Sequence, residues 1–188
     1  MRKNIILTLA FLVILSIFIG GCTSTTQLST IDPSIMALSS TEVPSGFTQL
    51  GGSSMTSSDI KQMEPSLGGE KGYYVNFISY GKLEVIHQTI IVYDLVDPMT
   101  KGLANAGYEI LNTEQANATV TVTQLPDPGM GDSSQAFMTI TKSAGIQLTR
   151  IDIIFVKDDV FEDVVGGGTS ADYETLKELA TVAASKIR

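Results

Sequence analysis

Apolar and polar positions change rhythm several times along the chain, and each rhythm predicts an element. Leu176, Leu179, Ala180, Ala183 and Ile187 recur at helical spacing, while Glu174, Lys177, Glu178 and Lys186 occupy other faces. This predicts an amphipathic C-terminal helix. Thr169 or Ser170 would cap it, Asp172 and Glu174 would sit at the positive end of its dipole, and Lys186 and Arg188 at the negative end. Thr119, Thr121 and Thr123 alternate with Val120 and Val122, the period-two pattern of a strand with one wet face. Tyr73 to Tyr80 and Leu83 to Tyr93 are aromatic and β-branched runs split by Gly81-Lys82, which predicts a β-hairpin. Tyr73 and Phe77 should share one face of its first strand, with Tyr74 and Tyr80 on the other.

The weaker patterns fill in the rest. Pro44, Ser45 and Gly46 turn the chain into a short strand at Phe47 to Leu50, and Gly51 to Gly72 reads as a loop with one helical turn around Asp59 to Met63. Asp97 and Pro98 open a short helix that buries Leu103 and Ala104 and ends at Gly107. Strands follow at Gln135 to Lys142, Ile146 to Lys157 and Val160 to Val165. In the middle one the apolar set changes face between Leu148 and Ile151, which predicts a bulge. Gly166-Gly167-Gly168 reads as a flexible connection. Strands in runs with few helices give an α+β domain in which an antiparallel sheet is covered by helices.

The N-terminus has a different pattern. Arg2 and Lys3 precede an apolar run from Ile5 to Ile19, followed by Gly20, Gly21 and the only cysteine, Cys22. This is the order of a secretory signal, and Ile19-Gly20-Gly21-Cys22 resembles the lipobox of prokaryotic lipoprotein precursors. The resemblance implies a signal peptide over residues 1–21, a diacylglycerol on the Cys22 thiol and cleavage just before it. Leu is commoner in that family where Ile19 stands, and Ala or Ser where Gly20 stands. The competing reading is an uncleaved signal anchor, since the run approaches the roughly 20 residues that span a bilayer. Both readings tether the protein to a membrane, at its extracytoplasmic face. Residues 22–42 are rich in Ser and Thr and read as a tether too poor in apolar surface to fold. One docked helical turn through Ile31, Ile35, Met36 and Leu38 is the alternative for part of it. Residues 43–188 then form a single domain.

Charge narrows the partners. Without Arg2 and Lys3 the chain keeps ten cations against twenty anions, a net charge of about −10. Nucleic acid and anionic lipid head groups, which require a basic surface, are therefore not expected partners. A lone cysteine excludes an intrachain disulfide.

The order of features is also similar to the PsbP-like α/β/α sandwich family. That order comprises the Pro44-Ser45-Gly46-Phe47 opening, the hairpin, a short helix, a turn at Gly131-Asp132, the strand Ile153-Ile154-Phe155-Val156 and the terminal helix. The family includes extrinsic subunits of photosynthetic complexes and prokaryotic lipoproteins. The resemblance implies a binding or assembly module and transfers no catalytic residue.

Catalytic sets are missing from the pattern. His87, the only histidine, lies in an apolar run without a carboxylate beside it and reads as a structural strand residue rather than a general base. One His and a lipidated Cys cannot make a zinc site. Asp127 and Asp132 flank a turn, and Asp158, Asp159, Glu162 and Asp163 cluster further on. They could meet around a hard cation, but the spacing is not that of an EF-hand and they read as turn residues and an acidic face. Gly166 to Gly168 lack the lysine of a phosphate loop, the scattered methionines fill core, and Asn117-Ala118-Thr119 is a glycosylation sequon by chance spacing. The expectation is thus a non-enzymatic interaction or assembly module, lipid-anchored in the cell envelope, with no cofactor, no metal and a protein partner. A lipoprotein that binds a small ligand or cation beneath the Gly51 to Gly72 loop is the alternative, and an enzyme using carboxylates alone is the third reading.

Overall fold

A computed structural model of the chain describes residues 32–63, 68–93, 103–107, 110–111 and 118–188. Seven strands form one antiparallel sheet: β1 (Thr48–Thr56), β2 (Lys71–Ser79), β3 (Glu84–Val92), β4 (Thr119–Gln124), β5 (Ser133–Ser143), β6 (Ile146–Lys157) and β7 (Val160–Gly168). Their spatial order is β1-β2-β3-β7-β6-β5-β4. Two meanders, β1 to β3 and β4 to β7, are therefore joined where β3 pairs with β7 (His87 opposite Val165). Helix α1 (Pro33–Met36) precedes β1, α2 (Ser57–Met63) follows it, and α3 (Tyr173–Lys186) ends the fold.

The alternation of side chains in the strands splits the interior into two cores. On one face Val75, Phe77, Ile86, Ile90, Ile153, Phe155 and Val164 meet Met36 and Leu38 next to α1 and Leu176, Leu179, Ala180 and Ala183 from α3. On the other face Met55, Ile91, Phe137, Ile154 and Phe161 meet Ile60 of α2 and Leu103. We call these the α3 face and the α2 face. The predicted α+β class, with an antiparallel sheet and helices against it, is what the structure has.

Several sequence expectations need correction. The strand read as Phe47 to Leu50 runs from Thr48 to Thr56 and so takes up the start of the predicted Gly51 to Gly72 loop, while α2 stands where one helical turn was expected around Asp59 to Met63. The bulge expected in β6 is absent, because its register with β5 and β7 is unbroken. The apolar pattern changes there for another reason: Ile146 and Leu148 project beyond the helices and are exposed, whereas Ile151 to Val156 are covered on both faces. The bulge that does exist lies in β1, between Gln49 and Gly51. Gly166 to Gly168 are not a flexible connection but the end of β7, paired with Glu84 to Ile86 on one side and Thr149 to Ile151 on the other. A Cβ on Gly166 would stand 3.2 Å from Leu176 Cδ1, so the missing side chain lets α3 lie close to the sheet.

The cap of α3 is Asp172, not Thr169 or Ser170, and it accepts from Thr175 N at 2.9 Å. The last carbonyls of the helix, those of Ala184 and Ile187, accept from Lys157 Nζ on β6 at 3.0 and 2.8 Å. Residues 103–107 are helical with Leu103 buried, but Ala104 is exposed and Gly107 lies within the helix. Asp97 and Pro98 lie outside the described residues.

The tether is the largest correction. Within residues 22–42, Met36 and Leu38 are buried in the main core, and Val43 follows them in. Lys186 Nζ ties this stretch to α3 through Ala37 O (2.7 Å) and Glu42 Oε2 (2.6 Å). Ile35 stays exposed. The packed domain begins by Pro33 rather than at residue 43, because three apolar side chains fit the sheet and local hydrogen bonds satisfy the polar ones between them.

Candidate functional site

Polar groups are expensive in the interior of a sheet, so those that remain mark where to look for function. Two such groups lie on the central strands, back to back.

On the α3 face, Gln88 and Glu162 are fully buried. Gln88 Oε1 accepts from Leu38 N at 2.7 Å, and its Nε2 donates to Glu162 Oε2 at 2.9 Å. Glu162 Oε1 is sealed without a described partner. Burial pushes this carboxyl up to about 8, against the smaller opposing pull of the Gln88 amide, Lys186 and Lys157. A group that is neutral at pH 7 in the middle of a core, linked through one amide to the start of the domain, is a structural fastening.

On the α2 face the strand register sets Asn76, His87 and Asp152 in one row, Thr89 and Asp163 in the next, and Arg150 beside them. His87 Nδ1 lies 2.5 Å from Asn76 Oδ1 and Nε2 lies 2.8 Å from Thr89 Oγ1. Because Asn76 Oδ1 only accepts, Nδ1 carries the proton and Nε2 takes the Thr89 hydroxyl. Burial and then the charge of Arg150 push the His87 pKa down, consistent with that neutral form. Arg150 grips the fully buried Asp152 through Nε (2.9 and 3.0 Å) and Nη2 (2.5 Å), while more than half of its own side chain stays in solvent. Asp163 Oδ1 is buried without a described partner. Burial, and then repulsion from Asp152, push this carboxyl up to about 8.

These contacts pair Asn76, His87, Thr89, Arg150 and Asp152 within one network, in which Asp163 Oδ1 stays unpaired. His87, expected as a structural strand residue, has both ring nitrogens occupied, Nε2 by the Thr89 hydroxyl. Sequence reasoning passed over Asn76, Gln88, Thr89, Arg150 and Asp152. The i, i+2 spacing of Arg150 and Asp152 was a usable signal, since it puts two opposite charges on one face of a strand.

The acidic residues proposed for a cation do not converge. Asp127 Oδ1 accepts from Gly129 N and Ser134 Oγ, Asp132 Oδ2 accepts from Asp158 N, and Glu162 and Asp163 point to opposite faces. Among the described residues no three His, Cys, Asp or Glu side chains are placed to hold a metal ion. Their work is at turns: a Cβ on Gly131 (φ +58°) would collide with the Val156 carbonyl. Met55 and Met130 are core. Cys22, Met99 and Asn117 lie outside the described residues.

Six of the nine exposed large apolar side chains among the described residues lie at one end of the sheet, around the β2–β3 turn; Ile35, Met63 and Leu111 are the others. Leu50, Tyr80, Leu83, Val85, Ile146 and Leu148 are exposed there, from 45 % for Val85 to 71 % for Leu83. Val85 borders a cleft on each side. One, of about 380 Å³, is lined by Leu50, Gly51, Gly52, Tyr74 and Asn76. The other, of about 470 Å³, lies between Phe47, Ile86, Leu176 and Leu179, with Lys82, Glu84 and Asp172 at its rim. Asp32, where the described chain begins, feels the charge of Lys71 at the start of β2, the opposite end of the strand. No helix among the described residues is long and apolar enough to cross a membrane.

No family model matches the chain. No curated protein matches it either. Among solved structures it is similar to the extracellular domain of PknH from Mycobacterium tuberculosis, with a TM-score of 0.61 and 13% identity, covering 87% of this chain and 96% of that one. At that identity the likeness is one of fold alone.

Proposed function

We propose that the protein is a lipid-anchored extracytoplasmic module that works by binding another protein, not by catalysis. The observation that carries this reading is the group of exposed apolar side chains around the β2–β3 turn. Large side chains such as Leu83, Tyr80 and Ile146 in water at one place are the mark of a contact surface. The clefts on either side of Val85 give a partner's anchoring side chains somewhere to go. The export pattern and Cys22 supply the address, and the PsbP-like order of features and the extracellular-domain likeness in fold support a module of this kind.

The test is a photo-crosslinking residue at Leu83 or Leu148 in the full chain, activated in intact membranes. One specific protein adduct is expected from either position and none from an exposed α3 position such as Glu178. Diffuse labelling equal to that of the α3 control would overturn the reading.

The cleft of about 470 Å³ favours a second reading, small-ligand binding, because its volume and its apolar walls with a polar rim suit a small molecule. The Gly51 to Gly72 segment does not fold over it as expected. A Leu179→Trp variant that fills the cleft yet keeps the crosslink at Leu148 would separate the two readings in favour of protein binding.

A further inference from the structure

A sheet of seven strands has two edges, and this protein treats them differently. β1 is broken by a bulge and by Gly51-Gly52, with α2 folded back against it, the usual means of discouraging further pairing. Among the described residues β4 has no such device. Its sequence Thr-Val-Thr-Val-Thr-Gln contains no Lys, Pro or Gly, and no charge occurs from Ala118 to Pro126. Six consecutive pairs with β5, Thr119 opposite Lys142 through Gln124 opposite Phe137, keep it regular. Among the described elements β4 packs against β5 alone.

The direction of its free hydrogen-bonding groups follows from one contact. Leu125 N donates to Ala136 O at 2.8 Å, so by antiparallel alternation the odd-numbered residues bond to β5. The N–H and C=O groups of Val120, Val122 and Gln124 then point outward along the edge. We infer that β4 is a pairing edge for a second copy of this chain, which adds its own β4 antiparallel and centred on Val122.

The sequence of the strand selects a copy of itself as the occupant. Centred on Val122, the pairing sets Val122 opposite Val122 of the second copy, Val120 opposite Gln124, and Thr121 opposite Thr123. Every opposed pair is neutral, and the Val122 and Thr pairs match in kind, so two acidic chains meet without opposed charges at the contact. The two-fold axis of such a joint stands perpendicular to the sheet. It leaves both α1 segments on the same face of the joined sheet. That both copies sit on one membrane rests on the lipid-anchor reading; the pairing itself does not. Six residues bury much less than the roughly 1,600 Å² of a standard interface, so the pair forms where local concentration is high, as on a membrane.

The test uses the full chain in its own membranes, with cysteine introduced in place of Val122 or, as a control on the other edge, Ser53. Mild oxidation is expected to give a disulfide-linked dimer from the Val122 position and not from Ser53. A register test follows, scored with an amine-independent photo-crosslinker at Gln124. Thr121→Lys with Thr123→Lys sets like charges opposite each other and should lower dimer yield about fivefold. Thr121→Lys with Thr123→Glu sets opposite charges together and should restore it. Unchanged thermal melting of both pairs shows that they fold. Monomer only, equal yield from Ser53, an adduct to a different protein, or no difference between the two charge pairs would each overturn the inference.

Discussion

Glu162 and Asp163 are neighbours in sequence that face opposite cores, and they share one electrostatic fate. Burial pushes each up to about 8, from ordinary values of 4.5 and 3.8. A carboxyl whose folded pKa is raised holds its proton more tightly in the native state. Its contribution to stability is complete below the unfolded pKa and is lost as pH rises toward the folded one. Stability should therefore fall between about pH 4.5 and pH 8, by a few kcal/mol in total. Urea midpoints at pH 5 and pH 8 would measure it. Glu162→Gln and Asp163→Asn should each flatten the fall and their combination should flatten it most; a double variant with an unreduced slope would refute the assignment. Arg150 and Asp152 give a second prediction at this scale. Arg150→Ala leaves Asp152 buried and unpaired, which costs about 3–5 kcal/mol. Arg150→Leu with Asp152→Leu removes both charges and should cost much less, so a double-mutant cycle in urea decides whether the pair is coupled.

At the scale of elements, α3 shows why some of the fold was legible in advance. Its apolar stripe, Leu176, Leu179, Ala180 and Ala183, is buried as its spacing predicted, because a helix on a sheet must turn one stripe inward. The hairpin was equally clear, since two β-branched runs around Gly81-Lys82 admit few other pairings. The cap was misplaced by two or three residues because Thr169, Ser170 and Asp172 are all capping types, and only the chain's path decides among them: Thr169 bonds to Lys82 O and Ser170 to Glu84. The cap has a measurable value. Asp172→Ala should lower stability by about 1 kcal/mol, whereas Thr169→Ala should have a smaller effect, as thermal melting would show. β6 misled for the opposite reason, since where a strand passes from solvent to a doubly covered interior its pattern changes without a bulge. The polar network was least legible, because Asn76, His87, Thr89 and Asp163 come together only through the register of three strands. Nothing in the local sequence of any one of them carries that information.

The whole molecule combines an acidic chain, a packed start at Pro33 and an exposed apolar end around the β2–β3 turn. If Cys22 carries lipid, only the nine residues from Thr23 to Ile31 separate it from the first described residue. Fully extended, they reach about 30 Å, so the domain is held close to the bilayer and not on a long stalk. The apolar end around Leu83 lies at the opposite end of β2 from Lys71. Cys22→Ser tests the attachment on which the close tether depends, since a hydroxyl cannot form the thioether. In the lipoprotein reading the wild-type protein loses residues 1–21, gains the mass of the lipid and partitions into detergent. The variant should retain residues 1–21 and lack the lipid mass. In the uncleaved-anchor reading both proteins keep residues 1–21 and have masses that differ only by the substitution. Intact mass therefore separates the two. A single acyl chain binds only marginally, so a mass gain equal to two chains or more is the result that makes the close, durable tether physically sufficient.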